Sequence, residues 1–143
     1  MLNITVPLTI QKVDKLGFHL LVDIKLKGNT YQLVLDTGAS QTALDMGFVQ
    51  SIFPGIDIEE VDGASAGVGS SKIDSWQVQI PLIEIGELRL KKYKIAALDL
   101  THVMMAYEVF NLPKIHGVLG GDILQKYQAI INYRNLTLTL HLT

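Results

Sequence analysis

Along much of the chain, apolar and polar residues alternate at a spacing of two, and the elements this predicts are mostly strands. Leu20, Val22, Ile24 and Leu26 fall on one side of such a stripe, with Leu21, Asp23, Lys25 and Lys27 on the other. Lys27-Gly28-Asn29 supplies turn chemistry, and Tyr31 to Leu35 returns as the second arm of a hairpin. Leu33-Val34-Leu35 has no polar alternation, which predicts an arm buried on both faces. Ile56 to Val61 reads as a strand. Val78, Ile80 and Leu82 form a further stripe whose phase changes near Pro81, predicting an edge or a bulge, because proline brings no N–H to a ladder. Gly86-Glu87 turns into Leu88 to Leu100. At the end, Ala129 to Ile131 and Leu136 to Leu142 flank Asn132-Tyr133-Arg134-Asn135 as a closing hairpin.

Helical spacing appears in three places. After Ser40, residues Leu44, Phe48, Val49, Ile52 and Phe53 fit a short helix face, with Ser40 or Thr42 near its start and Pro54-Gly55 at its end. Gly47 weakens that pattern, since an interior glycine costs about 1 kcal/mol against alanine. Val103 to Phe110 fits a helical turn or two. Asp122 reads as the N-cap of a helix that turns Ile123, Leu124 and Tyr127 inward.

Composition narrows the classes. The 143 residues form one expected domain, 1–143, with 48% apolar and 18% charged residues. A formal charge of −2 gives no electrostatic case for nucleic acid or an anionic membrane. Without cysteine there are no disulfides, thiolate nucleophiles or thiolate metal sites. Met1 to Pro7 lacks a basic region followed by an apolar core, and no apolar run approaches the ~20 residues of a membrane span. A soluble, cytoplasmic protein is expected. His19, His102, His116 and His141 are scattered without metal-ligand spacing, so no metal or other cofactor is expected.

Candidate chemistry lies where the doubly apolar strand ends: Val34-Leu35-Asp36-Thr37-Gly38-Ala39-Ser40. As a bare triplet, Asp36-Thr37-Gly38 is common turn chemistry. Its context is a hairpin before it and, downstream, Ile115-His116-Gly117-Val118-Leu119-Gly120-Gly121-Asp122-Ile123-Leu124. Together the two segments resemble the active-site loop and the apolar-apolar-glycine element of the pepsin/retropepsin superfamily, most closely the single-domain bacterial retropepsin-like aspartic proteases. The resemblance implies a mainly β, retropepsin-like closed barrel half with one or two short helices. It makes Asp36, Thr37 and Gly38 the catalytic loop, and Val118-Leu119 a strand threading behind it. Ala39 and the small-residue stretch around Ala66, Gly67, Val68 and Gly69, where the family has its flap, become substrate-binding residues.

Pepsin-like chains carry the loop twice, and this chain carries it once. The resemblance therefore implies a homodimeric aspartic endopeptidase acting on extended polypeptide, with Asp36 from each subunit. Two carboxylates within about 3 Å share one proton, one acting as base on a water while the other polarises the scissile carbonyl. Cleavage should then be strongest in mildly acidic buffer. Thr37 would bond across the two-fold axis, and the apolar termini, Ile4 to Ile10 and Leu136 to Leu142, would contribute to the interface. The alternative is a retropepsin-like module that binds peptide without cutting it. Three further features read as structural: Asp122 as a cap, His116 as an exposed or core residue, and Val103 to Ala106 as core or a pocket wall.

Overall fold

The computed structural model describes residues 2–61 and 76–142, and the Ala66 to Gly69 stretch lies outside them. The hairpin that carries the site is built from β2 (Phe18–Leu26) and β3 (Asn29–Leu35), paired antiparallel from Leu26↔Asn29 to Leu20↔Leu35. Its two-residue turn, Lys27 and Gly28, has φ of +52° and +82°. Two successive positive φ values match the right-handed twist of the flanking strands. Leu33, Val34 and Leu35 are all buried, as their unbroken apolar run predicts.

Around this hairpin the sheet closes. The strand order is β5-β6-β7-β4-β8-β3-β2-β1-β10-β9, with a further pairing of β6 to β2 at Lys25↔Glu84. Here β6 is Trp76–Ile85, β7 is Leu88–Leu98, β4 is Ala43–Asp45 and β8 is Ile115–Leu119. The ring β6-β7-β4-β8-β3-β2 is a closed six-stranded barrel. Outside it, β5 (Ile58–Glu60) extends one end, and β1 (Asn3–Lys12), β10 (Thr137–His141) and β9 (Ile130–Asn132) extend the other. Val78, Ile80, Ile83 and Ile85 are buried along β6, so its phase changes around Pro81 as predicted. The register with β7 does not slip there, so Pro81 marks no bulge, and Lys92 on the facing stretch of β7 takes φ of +51°.

Among the described residues three short α-helices pack on the barrel, where the resemblance implies one or two: α1 (Met46–Ile52), α2 (Thr101–Val109) and α3 (Gly121–Lys126). None among the described residues is long and apolar enough to cross a membrane. Two boundaries differ from expectation. The first helix starts at Met46, not near Ser40 or Thr42, because Ala43 to Asp45 are drawn into β4 between β7 and β8. Its N-cap is Asp45, whose Oδ2 accepts from Phe48 N–H at 3.1 Å while Oδ1 accepts from Leu100 N–H at 3.0 Å. The last helix is capped by Gly120 with no side-chain bond, so Asp122 is not its cap.

Both termini pair within the chain. Residues Asn3 to Pro7 pair with β10 of the same chain, and Leu8 to Lys12 pair with β2. Ile4, Val6, Leu8, Leu138 and Leu140 are buried in the chain's own core. Full burial of such a side chain is worth about 1.5–3 kcal/mol, so these five side chains stabilise the monomer, while Ile10 on the same strand is exposed.

Candidate active site

Asp36 stands at the end of β3, where the buried strand reaches the surface of the barrel, and it is half-buried. Its N–H donates to Leu119 O at 3.0 Å, and its own carbonyl accepts from Ala39 N–H at 3.2 Å. Within the loop, Gly38 N–H donates to Asp36 Oδ1 at 2.9 Å. A Cβ on residue 38 would lie 3.3 Å from that same oxygen, so a larger residue there would press on the carboxylate. The second carboxylate oxygen has no partner among the described residues and remains available for chemistry. Thr37 is exposed and its hydroxyl is also without a partner among them.

Behind the loop, β8 runs parallel to β3, with Val34↔Val118 and Leu35↔Leu119 in register. On its other side β8 pairs antiparallel with β4. Two glycines permit this close approach: a Cβ at Gly117 would sit 2.2 Å from Ala43 O, and one at Gly120 would sit 2.8 Å from the Gln41 carbonyl carbon. Gly121 N–H donates to Ala39 O at 2.7 Å, seating the loop on α3. The apolar pair and its glycine therefore sit where the sequence pattern implied.

Asp122 has a role the sequence did not disclose. Its Oδ1 accepts from both Thr42 N–H, at 2.8 Å, and Thr42 Oγ1–H, at 2.7 Å; its Oδ2 accepts from the Tyr93 hydroxyl at 3.0 Å. The Thr42 hydroxyl oxygen in turn accepts from Gly120 N–H at 3.0 Å. This network ties the far end of the Asp36 loop to β7 and α3. Burial, reinforced by the Asp122 charge, pushes the Tyr93 hydroxyl far above its ordinary value, so it stays a donor.

Asp36 opens onto a cavity of about 320 Å³ whose wall includes Phe18, His19, Val103, Val118 and Tyr133. Phe18 and Tyr133 are more than half exposed, and Val103 is also exposed. Val103 thus fulfils the pocket-wall reading. The turn of the β2–β3 hairpin could have revealed His19, since the same register continued by one residue sets it across from Asp36. Phe18 and Tyr133 carry no such signal. His116, by contrast, does not reach this cavity: its ring stacks on Phe48 at 4.0 Å and meets Tyr31 edge-on at 5.5 Å. Among the described residues, no three His, Asp or Glu side chains converge to hold a metal ion.

A closed barrel, a parallel strand threaded behind an Asp-Thr-Gly loop, and a glycine-bearing strand–helix corner together define a retropepsin-like protein. The aspartyl protease family profile matches residues 22–123, and the chain belongs to that family. By structure it is similar to a retropepsin-like aspartic protease from Rickettsia conorii, with a TM-score of 0.54 at 16% identity, covering 98% of this chain and 94% of that one. It is also similar to the retroviral protease-like domain of Ddi1 from Leishmania major, with a TM-score of 0.56 at 14% identity, covering 85% of this chain and 87% of that one. At these identities the two likenesses speak for the fold. No curated protein matches the chain in sequence.

Proposed function

We propose that the protein is an aspartic endopeptidase that hydrolyses peptide bonds in extended polypeptide segments, with an active site assembled from the Asp36 loops of two identical subunits. The observation that carries this reading is the state of Asp36. One oxygen is held by Gly38 N–H, and the other is without a partner among the described residues beside a cavity open to substrate. Brought against a second copy, the pair shares one proton because two adjacent carboxylates cannot both ionise comfortably. The unprotonated member takes a proton from water, and the protonated member polarises the carbonyl. Thr37, exposed and unpaired among the described residues, is free to bond across the two-fold axis. Substrate lies extended across this floor, with Ala39 beside the loop, and Ala66, Gly67, Val68 and Gly69 are substrate-binding residues in this reading.

Asp36→Asn is the direct test. The amide keeps the shape and can still accept from Gly38 N–H, but it cannot serve as the base. Peptide cleavage should fall by at least a thousandfold while circular dichroism and solution mass stay unchanged; a variant that still cuts would remove Asp36 from the mechanism. A second reading, a peptide-binding module that does not cut, draws on the exposed apolar rim of Phe18, Val103 and Tyr133, which would serve binding equally well. Binding without cleavage by the unaltered protein, at concentrations where it is dimeric, would favour that reading.

A further inference from the structure

Tyr107 on α2 is 1% exposed, and its hydroxyl lies 2.7 Å from His19 Nδ1 on β2. The two rings stack with centroids 5.8 Å apart. Burial pushes the Tyr107 hydroxyl up to about 12, so it keeps its proton at neutral pH. A buried hydroxyl proton needs an acceptor, and the one beside it is Nδ1. With Nδ1 as that acceptor, His19 carries its ring proton on Nε2, the nitrogen turned away from Tyr107. His19 lines the same cavity as Asp36, whose remaining wall is mostly apolar through Phe18, Val103 and Val118.

We propose that His19 is a specificity-determining residue: a hydrogen-bond donor of fixed tautomer in the wall of an apolar cavity that takes a tyrosine side chain of the substrate beside the scissile bond. The proposal rests on the reading of Asp36 as a peptide site. Tyrosine fits the wall because it joins an apolar ring to a tip that can accept a hydrogen bond. Lysine and arginine have no acceptor. Glutamate and aspartate would bring a like charge towards Asp36, which is unfavourable. Phenylalanine leaves the donor unmatched, and glutamine offers an acceptor without the ring. Tyr107 acts through His19 as a positioning residue.

Peptides identical except for Tyr, Phe or Gln at each position flanking the scissile bond test this in two ways. One is binding to the Asp36→Asn protein, by fluorescence anisotropy; the other is cleavage by the unaltered protein. At one position, tyrosine should be favoured over phenylalanine by about tenfold in both affinity and kcat/KM, the effect of roughly one hydrogen bond. His19→Phe should bring that ratio close to one. Tyr107→Phe, which keeps the His19 ring but frees its tautomer, should lower the ratio part-way and provides a second readout should His19→Phe fail to fold. A ratio near one in the unaltered protein, a ratio unchanged in the variants that fold, or a preference for glutamine over tyrosine would overturn the proposal. Tyrosine-selective binding without cleavage would uphold the cavity and sink the protease reading. Cleavage without tyrosine preference would do the reverse, and absence of both binding and cleavage would sink both.

Discussion

Asp122 works through three accepted hydrogen bonds, and each donor is a group that loses heavily if left unmatched. Thr42 is buried, and the Tyr93 hydroxyl is held protonated by burial. Asp122→Ala should therefore cost about 2–3 kcal/mol in denaturant unfolding, and Asp122→Asn less, since the amide keeps one accepting oxygen. His116 gives the stability a pH dependence. Its Nδ1 is buried without a partner, and burial, helped by Lys114 and opposed by Asp45, holds the imidazole below its usual range. The unfolded chain then binds this proton more readily than the folded one. The corresponding stability is fully present above the unfolded value of ~6.5 and is lost as pH falls through the folded one. Unfolding measured from pH 7.5 down to 5 should show stability falling with pH, and His116→Phe, which preserves the stack on Phe48, should flatten that slope.

Among the elements, β8 carries the tightest constraints. It is flanked by β3 and β4 in opposite senses, and Gly117 leaves no room for a methyl group against the Ala43 carbonyl. The Ala43 carbonyl and Leu44 Cα are backbone and cannot yield as a flexible side chain can, so Gly117→Ala should cost about 3 kcal/mol. Gly47 in α1 is a control. The nearest atom to its missing Cβ is Asp45 Oδ2 at 3.3 Å, and the gain in helix propensity offsets that contact. Gly47→Ala should stay within about 1 kcal/mol of the parent in the same unfolding measurement. The contrast separates a glycine required by close strand approach from one merely tolerated by a helix.

For the whole molecule, the proposed chemistry needs two copies, and a two-fold interface must bring both Asp36 loops to its axis. Most apolar side chains of β1 and β10 are already buried within the chain, which leaves Ile10 as the large exposed apolar side chain of these two strands. Short β9 ends the sheet with one edge unpaired, and Ile130 on it is exposed. The turn that follows β9 brings Tyr133 to the Asp36 cavity, so this edge lies on the side of the site. Edge strands with exposed apolar residues are templates for pairing. Specific activity should fall on dilution, in step with dissociation followed by analytical ultracentrifugation. Ile130→Lys should raise the dimer dissociation constant at least tenfold. A monodisperse monomer that still cleaves would refute the two-copy site.

Local pattern alone made much of this protein legible. The hairpin of Leu20 to Leu35, the buried end of β3, the phase change at Pro81 and the closing hairpin followed from spacing, turn residues and an unbroken apolar run, all properties of neighbours in the chain, whereas the Asp36 loop was legible through its resemblance to a known family. The Val118-Leu119-Gly120 element was legible through the same resemblance, and the structure supplies its physical reason: backbone approaches Gly120 too closely for a side chain. What only the tertiary structure decided depends on partners far away in sequence. Ala43 to Asp45 become a strand because β7 and β8 offer both edges, overriding a helical spacing. Asp122 becomes a brace and not a cap because Thr42 and Tyr93 converge on it. The apolar termini turn inward because each finds its partner in the same chain. His19 meets a hydroxyl at Nδ1 only because α2 brings Tyr107 onto it from 88 residues away. Periodicity reports which face of an element is buried, whereas the group that meets a given side chain is set by the way the elements close on one another.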